Sequence, residues 1–252
     1  MNKILFLGQK SFGEKCFKYL INNKFENIQL SAIVSNISKN NWWGSNEIFL
    51  NKKNFTFLDN NFRNTEKIND IISLKKINTN VSVQHPWILD KSTLEKVNYN
   101  AYNFHNAKLP EYKGNKVCSH VILNGESHHY STLHFIAEKV DMGQIIFEKS
   151  CSVEVQETSE TLFRKGEIMG FELFKKFISY LESDKIFPRK TIKEKGTFYK
   201  LDSLEELKEI NDINDIDEVD KKSRAFCFNG FEPSYFFLNG EKFYVYPNSK
   251  KY

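Results

Sequence analysis

The chain of 252 residues has few cysteines, glycines and prolines, and each shortage excludes a class of protein. The four cysteines are widely spaced and form no C-x-x-C pair, which excludes a disulfide scaffold and the usual zinc ribbon. We therefore expect all four to be small buried hydrophobic residues. Eleven glycines and five prolines are too few for a collagen-like or linker-rich chain.

Long apolar runs are also missing. No stretch approaches the roughly 18 consecutive apolar residues of a membrane span, so no membrane association is expected. The short apolar run at the N-terminus is not followed by a small-residue cleavage site, which favours a cytoplasmic location. Twenty-three phenylalanines and a hydrophobic content of 40% are nevertheless enough for the core of one large domain, or of one domain with an appendage.

The net charge of +4 hides an uneven distribution. Residues 202–221 contain nine acidic residues and two lysines, a balance of −7, which leaves +11 on the rest of the chain. A basic body favours anionic partners, although scattered lysines also serve solubility alone. We interpret the acidic segment as a linker, and its charge would repel a nucleic-acid backbone, so nucleic acid is not an expected partner.

Strand and helix patterns alternate through the first half of the chain. An apolar run at 3–7 predicts a buried parallel strand, and residues 30–34 and 81–83 predict further strands. Helical stripes at 12–21 and 66–74 predict helices between them. Further elements are predicted at 90–97 (helix), 100–105 (strand), 117–123 (helix), 131–136 and 144–148 (strands), and from Thr158 or Ser159 to Leu181 (helix). This order predicts an α/β fold with a mostly parallel, Rossmann-like sheet.

The chain divides into a core and a C-terminal region. We place a catalytic domain at 1–182 and a C-terminal region at 183–252. Asn239 and Gly240 separate two aromatic-rich runs, the strongest short-range signal for a β-hairpin. Ligands of a parallel sheet bind at the carboxyl ends of its strands, so the functional residues are expected in the loops there.

Two local patterns are ambiguous by themselves. Residues 8–13 connect a strand to a helix but match neither G-x-G-x-x-G nor the Walker sequence. They are either an ordinary turn or a helix N-terminus at which Lys10 and Ser11 hold an anionic group. The six histidines form no metal-binding pattern and have no carboxylate at ligand spacing, so no metal is expected.

Asn103 and His105 are candidate site residues, because the strand period of two places both side chains on one face of the sheet at the end of a strand. A single histidine at a strand end is more often structural. Here, however, three separated motifs follow in order: Leu109-Pro110-x-Tyr112-Lys113-Gly114, Asn124-Gly125-Glu126 and Asp141-x-Gly143. Together with Asn103-x-His105, they resemble the formyltransferases that use 10-formyltetrahydrofolate.

This resemblance covers residues 1–182 and implies a formyltransferase-type core in which Asn103, His105 and Asp141 form the catalytic trio. It departs from the family at Lys113, where many members have arginine, and at the bulky pair that follows Gly114. The residue types suit the reaction. An amide can donate to the oxyanion, a neutral histidine can take the amine proton, and an aspartate can stabilise the resulting cation.

Within the family, the chain looks most like the enzymes that formylate dTDP-linked or UDP-linked aminosugars for bacterial surface polysaccharide. Its tail is short and acidic, whereas methionyl-tRNA formyltransferases carry a nucleic-acid-binding domain there. The resemblance implies a homodimer formed through the C-terminal hairpin. Transfer to methionyl-tRNA or another amine, and a non-catalytic nucleotide or folate binder with the same fold, remain alternatives.

The resemblance also places the two substrates. The folate is expected against a set of loop residues: His85, Pro86, Trp87, Ile88, Leu89, Ile136 and Val140. The nucleotide and its diphosphate are expected near Lys10, Ser11, Lys113, Trp42 and Trp43. Trp42 and Trp43 are equally well interpreted as a stacking surface for a base or as ordinary core residues.

Overall fold

The structure is a computed structural model that describes residues 1–35, 56–59, 65–193 and 195–248. The strands of this part of the chain, in order, are β1 Asn2–Gly8, β2 Ile28–Ser35, β3 Thr56–Asp59, β4 Thr79–Val83, β5 Ala101–His105, β6 Tyr112–Gly114, β7 His128–Phe135, β8 Ile145–Ser152, β9 Thr197–Tyr199, β10 Ser234–Leu238 and β11 Glu241–Val245. The α-helices are α1 Lys10–Asn22, α2 Thr65–Lys75, α3 Lys91–Lys96, α4 Val117–Leu123, α5 Ser159–Glu182 and α6 Ile216–Ala225.

A seven-stranded sheet organises the fold in the order β3-β2-β1-β4-β5-β7-β8. The strands from β3 to β5 are parallel, and β7 and β8 continue the sheet as an antiparallel edge. The prediction of a mostly parallel α/β sheet is confirmed. Strand β3 has no counterpart in the sequence prediction, because its four residues are too short a run to show a period.

Strand β1 shows how the sheet is covered on both faces. Ile4 and Phe6 pack into the cluster built by α1 and α5, while Leu5 and Leu7 pack into the cluster built by α2 and α3. A strand buried on both faces needs apolar residues at every position, which explains the continuous run in the sequence. Much of the phenylalanine lies in the first cluster, where Phe6, Phe12, Phe17, Phe174 and Phe177 are fully buried.

Helix α5 begins as the sequence predicts. The Thr158 hydroxyl accepts a hydrogen bond from the Thr161 N–H at 3.2 Å, and the Thr161 hydroxyl accepts one from the Thr158 N–H at 2.9 Å. This reciprocal cap satisfies amide groups that the first helical turn leaves unpaired.

The C-terminal region has more structure than a linker and a hairpin. The hairpin of β10 and β11 turns at Asn239 and Gly240, which both have positive φ, as a two-residue hairpin turn requires. The acidic segment, interpreted above as a linker, contains a short 3₁₀ helix at Glu205–Leu207 and the start of α6. Helix α6 packs on α4, with Ala225 and Phe226 buried in a third cluster. Its apolar positions are too few to produce a clear helical stripe.

The cysteine prediction holds only in part. Cys16 and Cys118 are buried, but Cys151 and Cys227 are partly exposed. Cys151 lies towards the end of the edge strand β8, and Cys227 follows the last turn of α6, so neither position is enclosed by the core.

Candidate active site

A cavity of about 810 Å³ lies where β1, β4 and β5 end. This volume is within the range of small-molecule sites. Its walls include Asn103, His105 and Asp141, so the structure brings together the three residues predicted to be catalytic. Asn103 and His105 lie at the end of β5, and Asp141 reaches them from the loop between β7 and β8.

The tautomer of His105 follows from its contact with a backbone carbonyl. Its Nε2 lies 2.7 Å from the Tyr112 carbonyl oxygen, which can only accept, so Nε2 carries the proton and donates. In the neutral ring, the other nitrogen, Nδ1, is bare, and it lies 3.8 Å from Asp141 Oδ2. That distance is longer than a hydrogen bond. The Tyr112 carbonyl therefore sets the tautomer, and Asp141 faces the nitrogen that is able to take up a proton.

Asp141 is held in its charged form. Burial alone raises the pKa of its carboxyl, but His105, His134, the Gly114 N–H and Lys113 together outweigh burial and lower the pKa below its ordinary value. The Gly114 N–H donates to Asp141 Oδ2 at 2.9 Å. The site thus presents a buried negative charge beside the basic nitrogen of His105, where it stabilises an imidazolium.

Two glycines allow the chain to close around Asp141. A Cβ at Gly143 would lie 1.6 Å from the Phe135 carbonyl oxygen, so only glycine lets the loop return this close to β7. Gly114 has a φ of +92°, and a Cβ there would lie 2.3 Å from the Tyr199 carbonyl oxygen. Both glycines belong to the motifs that carry the resemblance, which gives a physical reason for their presence there.

A known family model, described as formyl transferase, matches residues 2–177. The chain belongs to the formyl transferase family. The match includes all three residues of the trio and most of α5, and it ends before the C-terminal region.

Individual relatives agree with this assignment. A methionyl-tRNA formyltransferase of Fusobacterium nucleatum is 23% identical over 205 residues, which is 79% of this chain and 64% of that protein. The chain spans roughly a third to two thirds of the length of the first curated relatives that it matches.

Solved structures resemble the chain over almost all of its length. A 4-N formyltransferase from Francisella tularensis superposes with a TM-score of 0.80 at 22% identity, covering 97% of this chain and 96% of that one. An N-formyltransferase from Helicobacter canadensis, in complex with folinic acid and dTDP-3-aminofucose, has a TM-score of 0.76 at 20% identity, covering 95% and 85%. At these identities the likeness establishes a formyltransferase fold.

All seven residues predicted to contact folate line the cavity: His85, Pro86, Trp87, Ile88, Leu89, Ile136 and Val140. Trp87 is 42% exposed and Ile88 54% exposed, although both side chains are strongly apolar. Burial lowers the pKa of His85 to about 4, so its imidazole is neutral at pH 7. These walls offer an apolar, uncharged surface to a flat ligand.

The residues predicted to contact the nucleotide separate into three groups. Lys10 lines the cavity, and its ammonium group lies 5.8 Å from the centre of the Phe163 ring. Ser11 and Lys113 are not among the lining residues. The Ser11 hydroxyl donates to the Glu167 carboxylate at 2.7 Å, and the Lys113 ammonium donates to the Lys195 carbonyl. Trp42 and Trp43 lie outside the residues that the structure describes.

Two opposing effects act on the pKa of Lys10. Burial lowers the pKa of its ammonium group, while the nearby Glu167 carboxylate opposes that effect. Its φ of +60° is a left-handed conformation at the start of α1. Lys10 is also the first residue of α1, so its backbone lies at a helix N-terminus, a position at which anions are stabilised.

Sequence reasoning missed other wall residues, which come from the N-cap of α4 and from segments further along the chain: Lys116, Phe163, Phe198, Lys208, Phe226, Phe228 and Phe231. No motif in the sequence marks the aromatic residues of the tail as part of a site. Only the fold shows that α4, α5 and the segment after α6 converge on one cavity.

His134 is a further wall residue that no motif in the sequence predicts. The antiparallel register between β5 and β7 places it directly opposite Asn103. It is buried beneath the trio and also lines the cavity. The alternation of side chains along β7 could have shown which face of the sheet His134 lies on. The register that pairs His134 with Asn103 could not be predicted from the sequence.

The sequence also predicts that the chain binds no metal and has no membrane span. Within the described ranges there is no group of three or more histidine, cysteine, aspartate or glutamate residues that could hold a metal ion. No helix in the part of the chain that the structure describes is long and apolar enough to cross a membrane.

Proposed function

We propose that this chain transfers the formyl group of 10-formyltetrahydrofolate to the amino group of a dTDP-linked amino-dideoxysugar. The preferred substrate is dTDP-4-amino-4,6-dideoxyglucose, and the product serves surface polysaccharide (O-antigen) synthesis. The observation that carries the proposal is the convergence of Asn103, His105 and a charged Asp141 in one cavity, with His105 Nδ1 facing the carboxylate.

The geometry supports a direct transfer. The amine nitrogen attacks the formyl carbon, and the carbonyl oxygen becomes an oxyanion that accepts a hydrogen bond from the Asn103 amide. His105 Nδ1 takes the proton from the attacking amine, and Asp141 stabilises the imidazolium so formed. Collapse of the intermediate breaks the bond to N10 of the folate, which receives the proton. Donors and general bases of this kind each contribute roughly 10²-fold or more to such reactions.

The cavity walls also support two substrates of different character. The apolar surface of Trp87, Ile88 and Leu89 suits the pterin of a folate. Three ammonium groups lie elsewhere on the walls: that of Lys10, and those of Lys116 and Lys208, which pair with Glu205 and, for Lys208, also with Glu232. Such groups suit the diphosphate of a nucleotide-linked sugar, because they neutralise its charge at short range.

The choice of the dTDP-linked sugar and of the amine at C-4 rests on the neighbours. The Francisella protein is a 4-N formyltransferase, and the Helicobacter protein was solved with dTDP-3-aminofucose. The first of these has the higher TM-score and covers almost the whole of both chains, which favours the amine at C-4.

Methionyl-tRNA is a second candidate acceptor, because the first curated relatives are methionyl-tRNA formyltransferases. The charge of the C-terminal region argues against it. Residues 202–221, which include the wall residue Glu205, carry a balance of −7 and would meet an approaching tRNA backbone with negative charge.

The hairpin supports a homodimer. Phe237, Leu238, Phe243 and Tyr244 are each about half exposed, an unusual apolar surface for two short strands. A second copy of the hairpin is the proposed occupant. Sedimentation analysis of wild-type protein and of the F237S/F243S double variant tests this. The wild type is expected to sediment as a dimer and the variant as a monomer, and a monomeric wild type would contradict it.

A thermal-shift panel separates the candidate substrates. We expect dTDP and a non-hydrolysable folate analogue each to raise the Tm, and both together to raise it further, since ligands stabilise the state that they bind. UDP serves as the matched nucleotide and AMP as the control. If the folate analogue raises the Tm but neither dTDP nor UDP does, the aminosugar proposal is wrong and another amine is the acceptor.

A further inference from the structure

His134 is almost fully enclosed, with 2% of its surface exposed, and it touches two members of the trio. Its Nε2 lies 3.1 Å from Asn103 Nδ2 and 3.6 Å from Asp141 Oδ1. Its Nδ1 lies 2.8 Å from the Phe135 carbonyl oxygen. The imidazole of His134 takes no part in the proposed proton transfer, so these three contacts define what it can do in the site.

The contact with Phe135 fixes the tautomer. A carbonyl oxygen can only accept, and 2.8 Å is a normal hydrogen-bond length, so Nδ1 carries the proton and donates it. Burial lowers the pKa of His134 to about 4, which keeps the ring neutral at pH 7. The remaining nitrogen, Nε2, is therefore a bare acceptor.

That bare nitrogen selects the orientation of the Asn103 amide. With its Nδ2 towards His134, Asn103 donates one N–H to Nε2 at 3.1 Å. With the amide turned over, its oxygen would face the Nε2 lone pair at the same distance, which is repulsive. The contact with Asp141 is different, because a bare nitrogen cannot donate to a carboxylate and 3.6 Å is beyond a hydrogen bond.

The Asn103 amide carries two N–H groups, and only one of them is used by His134. Among the described residues, this side chain has no other hydrogen-bond partner, and it lines the cavity. We infer that His134 is a positioning residue that fixes the Asn103 amide with an N–H, rather than its oxygen, towards the reacting carbonyl. The inference rests on the proposed formyl transfer, since it assigns the donor side of that reaction.

The expected size of the effect follows from what is lost. Removing one oxyanion donor outright lowers kcat by roughly 10²- to 10³-fold. A His134 variant leaves Asn103 in place but unoriented, so a smaller loss is expected, about 10- to 100-fold in kcat. The KM for the aminosugar should change little, because the oxyanion forms only after binding.

Two substitutions of similar polarity separate the roles of the ring nitrogens. His134→Gln extends an amide oxygen towards the position of Nε2 and can still accept from Asn103. His134→Asn is shorter and can replace only the donor to Phe135. We expect H134Q to retain most of the wild-type kcat and H134N to lose about 10- to 100-fold. Tm values of both variants, with H120Q as a control at another buried histidine, separate activity from folding.

A double-mutant cycle provides the decisive comparison. If His134 acts through Asn103, H134N lowers kcat in the wild-type background but causes no further loss in N103A. Equal loss in both backgrounds, or equal kcat for H134Q and H134N, would overturn the inference and indicate a structural role. Absence of turnover by wild-type protein would instead overturn the proposed function, and the inference with it.

A readout independent of activity completes the test. In ¹⁵N NMR of the histidine rings, the His134 signals should report a proton on Nδ1 and none on Nε2 at pH 7. A proton on Nε2 would contradict the inference directly, because that nitrogen could then no longer accept from Asn103.

Discussion

Replacing Asp141 with asparagine removes a charge while preserving most of the local packing. The asparagine oxygen can still accept from the Gly114 N–H, which in the wild type lies 2.9 Å from Oδ2. What is lost is the attraction between the carboxylate and the imidazolium that forms on His105, whose Nδ1 lies 3.8 Å away. At an effective dielectric constant of about 20, that attraction is worth about 4 kcal/mol.

A loss of about 4 kcal/mol in the transition state corresponds to a fall in kcat of about 10³-fold. The assay is steady-state formation of formamide from the aminosugar and 10-formyltetrahydrofolate, with Tm measured in parallel. Glu138→Gln, an exposed carboxylate in the same loop, is the matched control and should keep wild-type activity. A D141N variant within about tenfold of wild-type kcat would refute the electrostatic role of Asp141.

Three further predictions follow from the same geometry. His105→Ala should lower kcat by at least about 10²-fold while dTDP still raises the Tm, and a fully active variant would disprove its role as base. Gly143→Ala should displace the loop from the Phe135 carbonyl and lower both Tm and kcat, whereas unchanged values would contradict the close approach. His129 and His134 both have pKa values lowered to about 4, in each case chiefly by burial. Because the unfolded chain binds these protons near pH 6.5, urea unfolding should show stability falling as the pH drops from 7 to 5, by at most about 2 kcal/mol per histidine. A flat profile would count against their burial.

The sequence was most informative about the candidate site, where short motifs identify individual residues. Asn103, His105 and Asp141 could be placed together because their motifs occur in order along the chain, and the structure brings all three to one cavity. The parallel sheet was predictable for a similar reason. Strands buried on both faces leave continuous apolar runs such as 4–7, and an exposed or half-buried strand would instead alternate polar and apolar residues.

Other features depend on contacts that no local pattern encodes. Lys113 and Ser11 carry suitable groups for an anion, but the fold turns them towards the Lys195 carbonyl and Glu167. His134 meets Asn103 only because of the register between two antiparallel strands. In the C-terminal half, Phe226 joins the cavity wall through the packing of α6 on α4, a long-range contact that composition does not reveal.

The most direct test of the central claim is mass spectrometry of the reaction between purified protein, 10-formyltetrahydrofolate and dTDP-4-amino-4,6-dideoxyglucose. The account predicts that the nucleotide sugar gains the mass of one CO, only when the folate is present, and far more slowly with D141N. An aminosugar left unchanged across dTDP- and UDP-linked 3-amino and 4-amino substrates, while methionyl-tRNA is formylated, would contradict it.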